Sequence, residues 1–283
     1  LTTSYPVTYL VEKIAGDRVE VHNLSEGSMA QTATLRSDYE ELVEGADILF
    51  YIQELEPYFE LYNEELKNQR KLQVVDLAEL SSLYPFQRYT KVYTSGKYVL
   101  VEDEYYDSPL FSVVDKYEQD PFLWMDPVAM TSMARTIKDT LAHKMPDDEA
   151  FFTQNFESLE VELTKLQTAF QKLRDSDQSL NIAVMSPSFG NWQKSFHVGI
   201  YPMIISKYGV LPDNEMIDVI RETLMRDGVM YIAREENMPK EYEAVFNKLK
   251  KELELQEIKL SNLFSLSEKD QENGYDYIDK MFV

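Results

Sequence analysis

The chain has 283 residues, 44% of them hydrophobic, with 50 acidic residues against 28 basic ones and a net charge of −22. Such a field repels phosphate backbones and anionic lipid, which excludes a nucleic-acid-binding role. The absence of cysteine removes disulfides, thiolate nucleophiles and Cys-ligated metal centres, and no run of about 18 apolar residues spells a membrane span.

In chain order, Ser4 before Tyr5-Pro6 starts a helix, with the Ser4 hydroxyl as its N-cap. That helix carries Val7, Leu10, Val11 and Ile14 on one face and stops at Gly16. Residues 18–24 alternate as a half-buried strand, and Ser37 caps a short helix over 37–46. Residues 46–52 and 71–77 are nearly continuous apolar runs, the mark of strands covered on both faces, with a helix at about 57–68 between them. This rhythm predicts a mostly parallel sheet with helices on both sides.

Residues 89–105 break the rhythm as a β-hairpin turning at Ser95-Gly96, and its acidic, tyrosine-rich tail (102–107) reads as a solvated flap edge. Asp126-Pro127 starts a helix that runs to about Lys144 and is ended by Pro146. Then Phe152, Phe156, Leu159, Leu163, Leu166, Phe170 and Leu173 step by four and three, the single seam of a long helix over 147–174. Strands follow at 179–185, 198–204, 228–233 and 257–263, with helices at about 187–196, 213–227 and 239–254 and a closing helix from about Tyr275. The fold class is therefore α/β: two three-layer lobes with mostly parallel sheets, 1–146 and 176–283, joined by one long rigid helix over 147–175 that permits only modest rocking. The sequence opens on Leu1 at what reads as the end of a strand, so a targeting or anchoring segment is expected before it.

Ligands of open α/β sheets sit beyond the carboxyl ends of the strands. The segments to search are Ser25–Thr32, Gln53–Glu56, Phe122–Asp126, Ser186–Trp192, Arg234–Asn237 and Ser261–Asn262, lining an interlobe cleft. There is no glycine-rich phosphate loop, no nucleophile elbow and no HExxH, so no catalytic residue and no cofactor is predicted. His22, His143 and His197 have no spacing that brings them together.

Several linked segments resemble one family over essentially the whole chain. They are TSYPVTYLVEKIAGDRVEVHNL, SDYEELVEGADILFYIQELEPYFE, DPFLWMDPVAM, SPSFG and the closing segment around Tyr275 to Met281. In this order they resemble the solute receptors of zinc and manganese ABC importers, whose two lobes are joined by one long helix. The resemblance implies an extracytoplasmic, cell-surface, lipid-anchored receptor that is not an enzyme, acts as a monomer and delivers its ligand to an ABC permease.

The metal ligands that the resemblance implies do not carry over. Its first histidine falls on Ala30, beside Gln31; its second falls on Phe122, while Asp120, Pro121, Trp124, Asp126 and Pro127 are kept. Its third falls on Ser186, and its acidic ligand falls at Ser261. The histidine-rich run found before the flap in many zinc receptors is missing too. Alanine and phenylalanine cannot coordinate, and neutral hydroxyls are poor substitutes for imidazole and carboxylate. The expectation is a degenerate metal site that binds no metal. Gln31, Phe122, Trp124, Ser186, Phe189, Trp192, Arg234 and Ser261 would instead line a small-molecule pocket with polar anchors. Two alternatives stay open: a metal receptor using other ligands, such as Glu54, Glu56 or the acidic flap, and a surface adhesin or scaffold without cargo.

Overall fold

The structure is a computed structural model and describes residues 1–67, 69, 71–174, 180–236 and 238–282. Its helices are α1 (Tyr5–Ala15), α2 (Tyr39–Gly45), α3 (Pro57–Lys67), α4 (Pro127–Lys144), α5 (Glu149–Arg174), α6 (Asn191–Phe196), α7 (Asn214–Arg226), α8 (Glu243–Glu252), α9 (Glu268–Glu272) and α10 (Tyr277–Phe282). Its strands are β1 (Ser25–Glu26), β2 (Thr34–Leu35), β3 (Ile48–Tyr51), β4 (Gln73–Asp76), β5 (Arg88–Thr94) and β6 (Lys97–Asp103), then β7 (Asn181–Val184), β8 (Gly199–Pro202), β9 (Tyr231–Glu235) and β10 (Gln256–Leu260).

Contacts gather the chain into two units. The first comprises Leu1–Leu83, Asp126–Thr168 and Leu263–Val283, and the second comprises Tyr84–Met125 and Ala169–Asn262. The units thus interleave along the chain, where the sequence suggested 1–146, 147–175 and 176–283.

In the first unit β3 and β4 run parallel, as two continuous apolar runs require. Thr2 extends this sheet through parallel bridges to Phe50 and Asn23. The strand expected over 18–24 does not form. Thr2 forms a bridge there, its O accepting the Leu24 N–H and its N–H donating to His22 O, and Leu24 O accepts the Arg36 N–H. The partner segment is too short, because the chain turns into α1 immediately after Ser4. α2 starts after Asp38 rather than at a Ser37 cap, and the Asp38 carboxylate is taken by Arg36 at 2.7 Å. α1 presents Val7, Leu10 and Ile14 to the core, α4 presents Met130, Met133 and Ile137, and all six are fully buried.

The expected long helix is continuous as α5, 26 residues with no interruption. Phe152, Phe156, Leu159, Leu163 and Leu166 of its seam are buried, each contributing about 2 kcal/mol. Phe170 stacks on Phe196 with ring centroids 4.8 Å apart, and the Leu173 side chain lies outside the described residues.

In the second unit four parallel strands lie in the order β10-β9-β7-β8. The hairpin forms where expected, with Thr94 paired to Lys97 across Ser95 and Gly96. Both turn residues have positive φ, 52° and 82°, the twist a two-residue hairpin turn requires. α6 is shorter than the expected 187–196 helix, because residues 187–190 form turns before it. A short helix, α9, precedes the closing α10.

Candidate functional site

Unit two places most of the expected residues. Ser186 follows β7, and its backbone N–H donates to Glu235 Oε1 at 2.6 Å. Its hydroxyl lies 2.6 Å from Glu235 Oε2 and 2.8 Å from the Ser188 hydroxyl. Asn262 Nδ2, just beyond β10, donates to the same carboxylate at 3.3 Å. Glu235 is 2% exposed, and burial raises its pKa against the lowering pull of the bonds from Ser186 and Asn262. This carboxylate at the carboxyl end of β9 lies within the expected Arg234–Asn237 segment, although it is not one of the residues singled out there. Its neighbour Arg234 is, and it turns elsewhere: Nε donates to Glu257 and Nη1 to Glu243, each at 2.8 Å, over the Phe246 ring.

The motif Asp120 to Asp126 builds a second buried block. Asp120 Oδ1 accepts the Phe122 N–H at 3.0 Å, and burial lifts the Asp120 pKa to about 7 against that bond. Phe122 packs edge-on against Tyr117 and Trp124, and both Phe122 and Trp124 are fully buried. Trp124 Nε1 donates to Asn262 O at 2.8 Å, tying this block to the end of β10. Phe189 is fully buried and sits edge-on to Trp192, whose Nε1 donates to Met125 O at 3.1 Å. At Gly190 a Cβ would fall on the Asp120 carboxylate, so a glycine is required for the two segments to meet. Gln193 completes the block, joining the Tyr105 hydroxyl to the backbone of residues 87 and 89. Ser261 is half-buried at the end of β10, and Asn237 lies outside the described residues.

Unit one holds Ala30 and Gln31 on a 3₁₀ turn between β1 and β2. Ala30 is buried and offers no donor atom, whereas both side-chain polar atoms of Gln31 are buried without a hydrogen-bond partner. Glu56, the residue preceding α3, is 1% exposed, and no opposite charge acts on its carboxyl. Burial lifts its pKa to about 8, opposed in part by the Thr3 hydroxyl and its own backbone N–H. The Ser4 hydroxyl, expected to cap α1, makes no cap bond and is buried without a partner. Ser25 binds both Thr3 O and the Tyr58 hydroxyl, bringing the start of β1 against the N-terminal segment and α3. Glu54, by contrast, projects from a turn residue with φ 63°.

Among the described residues no group of three or more His, Cys, Asp or Glu side chains is placed to hold a metal ion. The whole length of the chain nevertheless matches one family model, the periplasmic zinc-uptake complex component A, over residues 1–282. The chain belongs to the zinc-uptake component A family. This is a family of solute receptors rather than enzymes. The zinc-binding lipoprotein AdcA of Streptococcus pneumoniae is 25% identical over 289 residues, covering 99% of this chain and 53% of AdcA. The chain therefore spans about half the length of that curated relative. The Zn(II)-bound ZnuA-like domain of the same AdcA shares the fold at a TM-score of 0.72 and 22% identity, covering 99% of this chain and 93% of that domain. The laminin-binding protein Lmb of Streptococcus agalactiae, described as a bifunctional adhesin and metal transporter, shares it at 0.74 and 17% identity, covering 99% and 95%. The fold of that family is thus kept, and among the described residues it is not accompanied by a group of side chains placed to hold a metal ion.

Proposed function

We propose that this chain is the extracytoplasmic, lipid-anchored receptor of an ABC importer, working as a monomer with a membrane permease, and that its cargo is a small molecule rather than an imidazole-bound metal ion. The family match and the zinc-binding lipoproteins among its relatives support the receptor role.

One observation carries the change of cargo: Ala30, Phe122 and Ser186 stand where the resemblance puts three histidines. Zinc binds tetrahedrally through imidazole, thiolate and carboxylate. An alanine and a fully buried phenylalanine give no donor, and the Ser186 hydroxyl is already engaged with Glu235. The remaining groups, Gln31, Trp124, Phe189, Trp192 and buried carboxyls, suit an organic ligand with polar anchors better than a transition metal.

Native mass spectrometry of freshly purified protein, paired with elemental analysis, tests this. An organic adduct with substoichiometric metal is expected. One zinc or manganese ion per chain with no organic mass would contradict it.

A further inference from the structure

The polar groups left unpaired in unit one are concentrated at one end of its sheet. Thr3 and Ser4 follow the bridge at Thr2, Glu56 follows β3 and precedes α3, and Gln31 sits on the turn that packs on α3. Ser25 and Tyr58 bond to each other and hold these segments together. Thr3, Ser4, Gln31 and Glu56 are each at most 5% exposed; the Ser4 and Gln31 side chains have no hydrogen-bond partner, and the Glu56 carboxyl meets the Thr3 hydroxyl and its own backbone N–H but no opposite charge. Buried polar groups are ordinarily paired, and leaving one unmet costs about 1–3 kcal/mol, more for a charged group. A buried carboxyl without a counter-charge, beside the unpaired Ser4 and Gln31 side chains, is costly to a fold unless a ligand meets it.

We infer that this end of the first unit receives a protonated amine of the cargo, with Glu56 as its counter-ion and Gln31, Thr3 and Ser4 as neutral oxygen acceptors. The inference rests on the receptor reading above and names the chemical class of the cargo. An ammonium group offers three N–H donors and one positive charge, matching one carboxylate and neutral oxygens. A hard dication such as calcium takes about six to eight oxygens and usually several carboxylates. A softer metal wants imidazole or thiolate, neither of which these residues supply. An anion finds no cationic partner among these residues. A neutral ligand brings no counter-charge, whereas an ammonium gives the buried carboxyl the partner it needs to ionise there.

The test uses putrescine and the L-α-amino acids, each beside its N-acetylated counterpart, at millimolar concentration near neutral pH. Thermal shift finds binders and calorimetry measures them on wild type, Glu56→Gln and Gln31→Leu. At least one free amine is expected to bind and its acetylated counterpart not to. Glu56→Gln should weaken binding about tenfold or more, and Gln31→Leu several-fold. If Glu56→Gln does not fold, Gln31→Leu carries the comparison. Absence of any amine binder, equal binding of the acetylated compounds, or unchanged affinity in both variants overturns the inference. An organic adduct that lacks an amine would overturn it while leaving the receptor reading intact. Stoichiometric zinc instead would overturn it together with the small-molecule cargo, while leaving the receptor role intact.

Discussion

Glu56 is a carboxyl that folding places out of water without a charge partner, and its titration reports that placement. Its pKa is about 8 in the folded chain against 4.5 in its ordinary state. The folded state therefore keeps a proton that the unfolded state releases, so the contribution of Glu56 to stability falls as pH rises from about 4.5 through 8. Glu56→Gln does not titrate. In the absence of ligand it should match the wild type near the lower limit and exceed it above the upper one by on the order of 5 kcal/mol. Denaturation curves of both proteins across that range check this, and parallel curves would contradict it. Asp120, with its pKa near 7, adds the same sign over a narrower range. A motif register singles out Gln31 and Ser186 in the sequence. The segment Arg234–Asn237 includes Glu235, but β9 is buried on both faces, so no alternation marks which of Arg234 and Glu235 turns inward. Ser4 was read as a cap, and its failure to cap is visible only once its hydroxyl is seen without a partner.

Among the elements, those whose signal is local were read closely. α4 begins at Pro127 with the Asp126 side chain accepting from Val128 N at 2.9 Å, and α5 follows its apolar seam. The hairpin turn is equally local, and Gly96→Val should cost about 1–2 kcal/mol through its positive φ, measurable by chemical denaturation. Elements that depend on a distant partner were not legible. Residues 18–24 have strand alternation but meet Thr2 only in a bridge, so no strand forms there. The start of α6 is set by the meeting of Gly190 with Asp120, 70 residues earlier in the chain by their numbers. Gly190→Ala should cost about 2–3 kcal/mol, because the intruding methyl displaces a buried carboxylate rather than a flexible chain end. A melting temperature equal to that of the wild type would show that Asp120 can move aside.

On the scale of the molecule, the parallel sheets and long helix were legible, whereas the interleaving of the two units was not, since it follows from which segments pack and not from their order. The net charge of −22 acts on every cation in solution, so weak binding that fades with salt is expected and says nothing about a specific site. The resemblance implies alanine, phenylalanine and serine, at positions 30, 122 and 186, where its family carries three histidines. Calorimetric titration of the demetallated protein with zinc and with manganese, at moderate salt, addresses this directly. Only weak, salt-sensitive heats without defined stoichiometry are predicted for both ions. Submicromolar one-to-one binding of either ion that persists as salt is raised would contradict it.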